Sequence, residues 1–361
     1  MIVFKVFNKF NEITDLDKSF LELNFAKNQI YSKFKTDKNV LHLFYSGTFG
    51  MSKFNLTLDL TEYDKVFVDF SADDLILRYE DMQEFIKLIK ANELYVISKN
   101  ACEKQNWLYI DPLIYRITES TFELTNTTKV NDYFYLGGHA RYHRLLFLDK
   151  LNKINQLNNI SWSQRAVDES LIMLEIPYEF KDVYKDLEIH SLLPKRLDID
   201  NHNDSEYHNN STSDYILNSV GVKPNLEFYN NHISEIVSET TYYISINPVK
   251  GDSTLLNFSE KTFKPLSLGY PFISFCLPNS FAKIKEWGFE LFDELFNYNF
   301  DSIVDDSKRL DSIVNQISDN NIADKYFDNF NAIYDKHIFN KNKFIEFKKE
   351  MLKKYEKSLL F

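Results

Sequence analysis

Short runs rich in β-branched and aromatic residues recur along the first part of the chain: IVFKVF, NVLHLFY, NLTLDL, KVFVDF, LYVIS and WLYID. Several are almost continuously apolar, the pattern of strands buried on both faces of a parallel sheet. Between KVFVDF and LYVIS, the segment 74–90 sets Leu75, Ile76, Phe85, Ile86 and Ile89 at roughly helical spacing. Strand and helix in alternation predict an α/β domain. The opening MIVFKVFNKF carries Lys5 and is followed by no long apolar region or small-residue cleavage site, so it reads as a first strand.

A second α/β pattern starts at DYFYLGG, an apolar strand closed by two glycines, followed by a helix with Leu145, Leu148, Leu151 and Ile154 on its apolar side. Strands are expected at Tyr242 to Ile246 and Phe272 to Cys276, and a helix at DSKRLDSIVNQI, where Leu310, Ile313, Val314 and Ile317 keep helical spacing. A chain of 361 residues exceeds the roughly 250 that one core serves, so two domains are expected. The boundaries read as 1–127 for the first domain, 128–340 for the second and 341–361 for a basic amphipathic C-terminal helix docked on the body. The polar stretch 198–214, DIDNHNDSEYHNNSTSD, reads as a mobile loop. It holds His202 and His208 without the carboxylate or cysteine spacing of a metal site, so no metal is expected.

Composition narrows the functional classes. Cys102 and Cys276 are too few for a disulfide framework, which suits a reducing cytoplasm. No run reaches the roughly 20 apolar residues of a membrane span, and the nearest, LSLGYPFISFCL, is broken by Gly269 and Pro271. A net charge of −11 opposes broad binding to nucleic acid or anionic membrane, which relies on many Lys and Arg contacts.

Two charged segments stand out. In Gly137-Gly138-His139-Ala140-Arg141-Tyr142-His143-Arg144, two arginines and two histidines occupy the start of a helix. Cations at that end oppose the helix dipole by about 0.3–1 kcal/mol each. A bound phosphate or pyrophosphate would resolve the conflict, held by helix N–H groups and a guanidinium fork. Pairing of these side chains with Asp132 or Asp149 on a solvated face is the alternative.

The second segment, Ser259-Glu260-Lys261-Thr262-Phe263-Lys264-Pro265, sets an acid and two lysines directly before a buried strand. Proline is tolerated in the first helical turn, so the helix is expected to begin near Lys261 or later, with Ser259 and Glu260 in the cap. Loops before helices at the carboxyl edge of an α/β sheet are where nucleotides bind. A carboxylate there accepts ribose hydroxyls, and a lysine neutralises phosphate charge as a leaving group departs. Glu239, in Ser238-Glu239-Thr240, offers a second acid. Surface pairing of Glu260 and Glu239 with Lys261, Lys264 or Lys250 is the alternative here.

In this order, Gly137-Gly138, Arg141 and Arg144, Glu239, then Ser259-Glu260-Lys261 and Gly269-Tyr270-Pro271-Phe272, the chain resembles the donor domain of alpha-1,3-fucosyltransferases over about residues 130–310. It is similar as well to glycosyltransferase-like proteins of phages and large DNA viruses. The resemblance implies the GT-B architecture: two Rossmann-like domains facing a cleft, with the acceptor on the first and the nucleotide-sugar donor on the second, and no metal required. It implies that Arg141 and Lys261 contact the donor phosphates, with Arg144 as a helper. Glu260 holds the ribose, and Glu239 lines the same pocket. Thr240 follows Glu239 where those enzymes carry Asn, which leaves the donor open between UDP- and GDP-linked sugars.

An inverting reaction needs a base on the first domain to deprotonate the acceptor hydroxyl. Asp69, Asp73 and Asp74, at the carboxyl end of KVFVDF, are the candidates; capping of the following helix by Ser71, Asp73 or Asp74 is the competing role. A retaining reaction needs no such base. The acceptor is expected to be a glycan or a hydroxymethylated base in phage or viral DNA. A catalytically silent module that keeps the nucleotide fold is the other class.

Overall fold

A computed structural model describes residues 1–7, 13–15, 34–45, 57–70, 79–98, 100–101, 106–110, 114, 117, 121–129, 131–137, 142–164, 185–193, 195, 226–239, 256–319 and 321–360. The strands among them are β1 (Ile2–Phe7), β2 (Ile13–Asp15), β3 (Val40–Tyr45), β4 (Leu58–Asp59), β5 (Lys65–Asp69), β6 (Ile89–Lys90), β7 (Leu94–Ser98), β8 (Asn100–Ala101), β9 (Trp107–Tyr109), β10 (Asn131–Gly137), β11 (Ile160–Gln164), β12 (His232–Ser238), β13 (Leu256–Asn257) and β14 (Phe272–Phe275). The helices are α1 (Tyr79–Lys87), α2 (Tyr142–Lys153), α3 (Leu226–Asn231), α4 (Glu260–Leu268), α5 (Ser280–Glu286), α6 (Asp306–Ser318), α7 (Ile322–Asp328) and α8 (Phe330–Leu360).

NLTLDL gives β4, which pairs in parallel with β6, whereas the other five of the six apolar runs of the first part enter one sheet in the order β2-β1-β3-β5-β7-β9, parallel except for the edge strand β2. Its central strands are buried throughout, as their unbroken hydrophobicity demands. Leu41, Leu43, Val66 and Val68 form one core with Met82 and Phe85 of α1. Val40, Phe44, Phe67 and Ile97 form another, and its cover is Tyr355 and Leu359 of α8.

The second sheet, β11-β10-β12-β14, is wholly parallel. The described residues thus form an α/β protein whose two larger sheets are predominantly parallel and flanked by helices. β8 pairs antiparallel with β13, Leu256 opposite Ala101 and Asn257 opposite Asn100. This short ladder joins the segment after β7 of the first sheet to the segment just before Ser259.

α8 begins at Phe330, upstream of the basic stretch 341–361, and runs 31 residues. Ile333, Phe344, Phe347 and Met351 enter the core of the second sheet, whereas Tyr355 and Leu359 enter that of the first. The Lys65 ammonium, itself buried, donates to the Ser358 carbonyl at 2.7 Å, which suits the negative end of a helix.

One feature departs from the sequence reading. α4 starts at Glu260, so Pro265 lies in its second turn. Ser259 is the cap: its Oγ accepts from Lys261 N. The helix then ends at once, with Gly269 at φ 57° and Tyr270 N donating to Pro265 O. A nine-residue helix forgoes the one bond proline lacks. The strand of the second sheet that precedes α4 is β12, upstream of Tyr242 to Ile246, which lies outside the described residues together with 198–214. Among the described residues no helix is long and apolar enough to cross a membrane, and no cluster of three potential metal ligands occurs.

Candidate functional site

The two charged segments of the sequence meet at the carboxyl end of β12. That strand is fully buried, and successive side chains on it face opposite sides of the sheet. Ser238, its last residue, meets α2. The Ser238 Oγ accepts from Arg144 Nε at 3.1 Å and contacts His143 Nε2 at 3.1 Å, and its carbonyl accepts from Arg144 Nη2 at 3.3 Å. Arg144 and His143 are both buried. Arg144, in the first turn of α2, therefore turns its guanidinium inward onto the strand end.

Glu239, the first residue after β12, meets α4. Its Oε1 accepts from Ser259 N at 3.1 Å, from Thr262 N at 3.2 Å and from the Thr262 hydroxyl; its Oε2 accepts from Ser259 Oγ at 2.6 Å. Glu239 is 1% exposed. Its carboxylate thus occupies the positive end of α4, the position a ligand phosphate would otherwise take. Any anion beside α4 is left to its two partly accessible lysines. Lys261 and Lys264 are half-buried, and Lys261 Nζ lies 3.5 Å from Ser259 Oγ.

The α2 side of the sheet edge is polar beneath its surface. Tyr135 Oη donates to Gln164 Oε1 at 3.3 Å, and burial pushes the Tyr135 phenol up to about 12. Gln164 is fully buried, and its Nε2 has no partner among the described residues. Its amide lies directly over Gly137: a Cβ there would sit 2.1 Å from Gln164 Oε1 and 2.9 Å from Tyr135 Oη. Glycine at the end of β10 is thus required by packing of the sheet edge.

One buried acid was not singled out from the sequence. Glu235 on β12 accepts from Tyr229 Oη at 2.7 Å. Burial pushes its carboxyl up to about 7, against the attraction of Lys264 and the Tyr229 hydrogen bond, while Glu239 adds to the rise. The only local signal is an acid at alternate spacing with Ile233 and Val237 in HISEIVS.

Of the residues expected to act on the acceptor, Asp69 is 1% exposed and points inward. Its Oδ2 lies 3.1 Å from His42 Nε2, and His42 Nδ1 lies 3.2 Å from the Tyr355 hydroxyl of α8. Asp73, Asp74, Gly138 and Arg141 lie outside the described residues, as does the Glu260 side chain. The structure therefore gathers Arg144, Glu239, Ser259, Lys261 and Lys264 around one strand end and sets Asp69 apart, in the core under α8. A concavity of about 580 Å³ lies elsewhere, lined by Phe281, Lys285, Asp293, Tyr298 and Lys325 among others, and includes none of these residues.

No family model, no curated protein and no solved structure matches the chain.

Proposed function

We infer that the chain is a glycosyltransferase that moves a sugar from a nucleotide-sugar donor to a hydroxyl acceptor. The observation that carries this reading is the convergence of two segments, more than a hundred residues apart, on the consecutive residues Ser238 and Glu239. They meet at the carboxyl edge of a parallel sheet, the edge at which α/β proteins bind nucleotides. In this reading Lys261 and Lys264 of α4 and Arg141 before α2 neutralise the donor diphosphate, and Glu260 receives the ribose hydroxyls. Arg144 and Glu239 hold the two helices from within. The β8–β13 ladder supports a GT-B-like arrangement, because it ties the end of β7 to the approach to α4. The donor is a UDP- or GDP-linked sugar. The acceptor is a glycan or a hydroxymethylated DNA base, reached from the first sheet.

Thermal unfolding with UDP, GDP and CMP compounds tests the reading, since a ligand that binds only the folded state raises the midpoint. Stabilisation by one nucleotide, lost in Lys261→Ala and Glu260→Ala without loss of fold, supports it. No stabilisation by any of them sinks it. Binding to immobilised modified and unmodified DNA over a salt series separates the acceptors, because a DNA acceptor requires binding at low salt.

A second reading, a catalytically silent module, is favoured by one observation: Arg144 and Glu239 spend their charges on protein groups. It predicts nucleotide binding without sugar transfer, or neither.

A further inference from the structure

α4 is held at both ends. Glu239 takes its N-terminus, as described. Its C-terminus abuts α8 at His337, where the two backbones come so close that a Cβ on Gly269 would lie 2.1 Å from the His337 carbonyl oxygen. The His337 side chain is fully buried and is flanked by two oxygens. Its Nδ1 lies 3.1 Å from Gly269 O, the carbonyl that follows α4, and its Nε2 lies 3.3 Å from Glu123 Oε2.

An imidazole between two acceptors has one proton to offer when neutral and two when charged. Glu123 is half exposed, and Lys341 serves it: Lys341 Nζ donates to Glu123 Oε1 at 2.8 Å, while its Nζ lies 2.5 Å from Phe122 O. The Gly269 carbonyl is buried with the ring. The proton of a neutral His337 is needed most on Nδ1, toward α4. The ionisable groups around the ring are Glu123 from the connecting segment, with Lys341 and Tyr334 of α8, whose hydroxyl donates to Glu123 Oε2 at 3.2 Å. α4 turns only its terminal carbonyl to the ring among the described contacts.

We propose that His337 is a positioning residue for the site on α4, fixing the lysine-bearing helix through the Gly269 carbonyl while its imidazole is neutral and buried. Charging the ring favours conformations in which it reaches water, and these release the end of α4. Burial pushing the imidazole below its ordinary range, against its bonds to Gly269 and Glu123, agrees with that direction. The inference rests on reading α4 as the ligand-bearing helix and adds that its placement depends on pH.

Hydrogen exchange at the amides of Gly269 and Tyr270 in the full chain, corrected for intrinsic rates, decides it at pH 5.5 and 7.5. The wild type should lose protection roughly fivefold in acid, the scale of one hydrogen bond. His337→Asn, whose Nδ2 replaces Nδ1 and does not titrate, should keep its protection at both values. His337→Phe should be weakly protected at both. Equal wild-type protection at the two pH values, or a His337→Asn protein as pH-sensitive as the wild type, overturns the proposal, and these two proteins suffice if the Phe variant does not fold. Titration with UDP and GDP forms the second arm: binding should weaken in acid in the wild type and not in His337→Asn. Absence of binding by either nucleotide at both pH values removes the nucleotide reading, while the exchange data still decide the role of His337.

Discussion

Ser238 and Glu239 are neighbours in the chain, yet each holds a different helix: Ser238 binds Arg144 of α2, and Glu239 binds Ser259 and Thr262 at the start of α4. β12 ends at Ser238, so Glu239 is the first residue beyond the strand and turns to a different helix. The strand end is therefore a joint on which both charged segments are mounted. A change at either residue should move a helix before it touches a ligand.

Glu239→Ala leaves the buried amide and hydroxyl donors of Ser259 and Thr262 without their acceptor. The expected loss is about 2–3 kcal/mol, in line with an uncapped helix start and unsatisfied buried donors. Glu239→Gln keeps one oxygen and should lose about half as much. Urea unfolding of the two variants measures this. An Ala variant as stable as the wild type would contradict the capping role.

Gly137→Ala places a methyl group 2.1 Å from Gln164 Oε1. The amide must move in a buried site, at a cost of about 1–3 kcal/mol typical of overpacking. Adding Gln164→Ala removes the obstacle, so the double variant should recover part of that loss relative to Gln164→Ala alone. A double-mutant cycle on unfolding free energy reads the coupling. Strict additivity would show that the two side chains do not meet.

Glu235 makes a sign-definite prediction with pH. Its folded carboxyl is raised to about 7, so its contribution is fully present below the unfolded value of 4.5 and is lost as pH rises through 7. The whole effect is on the order of 3 kcal/mol at most. His337 acts in the opposite sense: its folded imidazole is lowered, so its contribution falls as pH drops below 6.5. The Glu235→Gln difference isolates the acid. That variant should gain stability relative to the wild type between pH 5 and pH 8, as measured by urea midpoints. A constant difference across that range would contradict the burial assigned to Glu235.

Much of the architecture is legible in the sequence because buried parallel strands are apolar on both faces: NVLHLFY, KVFVDF and LYVIS read directly as β3, β5 and β7. The period of Leu310, Ile313, Val314 and Ile317 likewise marks α6. β12 is not legible, because HISEIVS buries polar residues whose partners lie outside the strand. His232 Nε2 lies 2.8 Å from Ser161 Oγ, Ser234 Oγ donates to Pro271 O, and Glu235 accepts from Tyr229. The destination of α8 is hidden for another reason. An apolar stripe shows that a helix packs, not that its last turns cover a different sheet from its first. At the site, the charged segments and their order are legible. The inward turn of Arg144 and Glu239 is not, since a charged residue carries no local sign that its partner is a buried strand end.

Asp69 illustrates the same difficulty and yields the last prediction. Its place at the carboxyl end of β5 suits a base that takes a proton from an acceptor hydroxyl, yet its carboxylate is buried beside His42, which in turn meets Tyr355 of α8. Removing an acceptor from such a network leaves buried groups without water to replace it, at a cost of about 2–4 kcal/mol. Asp69→Ala should therefore lower the unfolding free energy by that amount. Tyr355→Phe, which removes one hydroxyl from the same chain of contacts, should cost about 1–2 kcal/mol. The nucleotide binding proposed for α4 should, where it is found in the wild type, persist in Tyr355→Phe at temperatures where that variant remains folded. An Asp69→Ala protein with wild-type stability and no sugar transfer would reverse this assignment and restore Asp69 as the base.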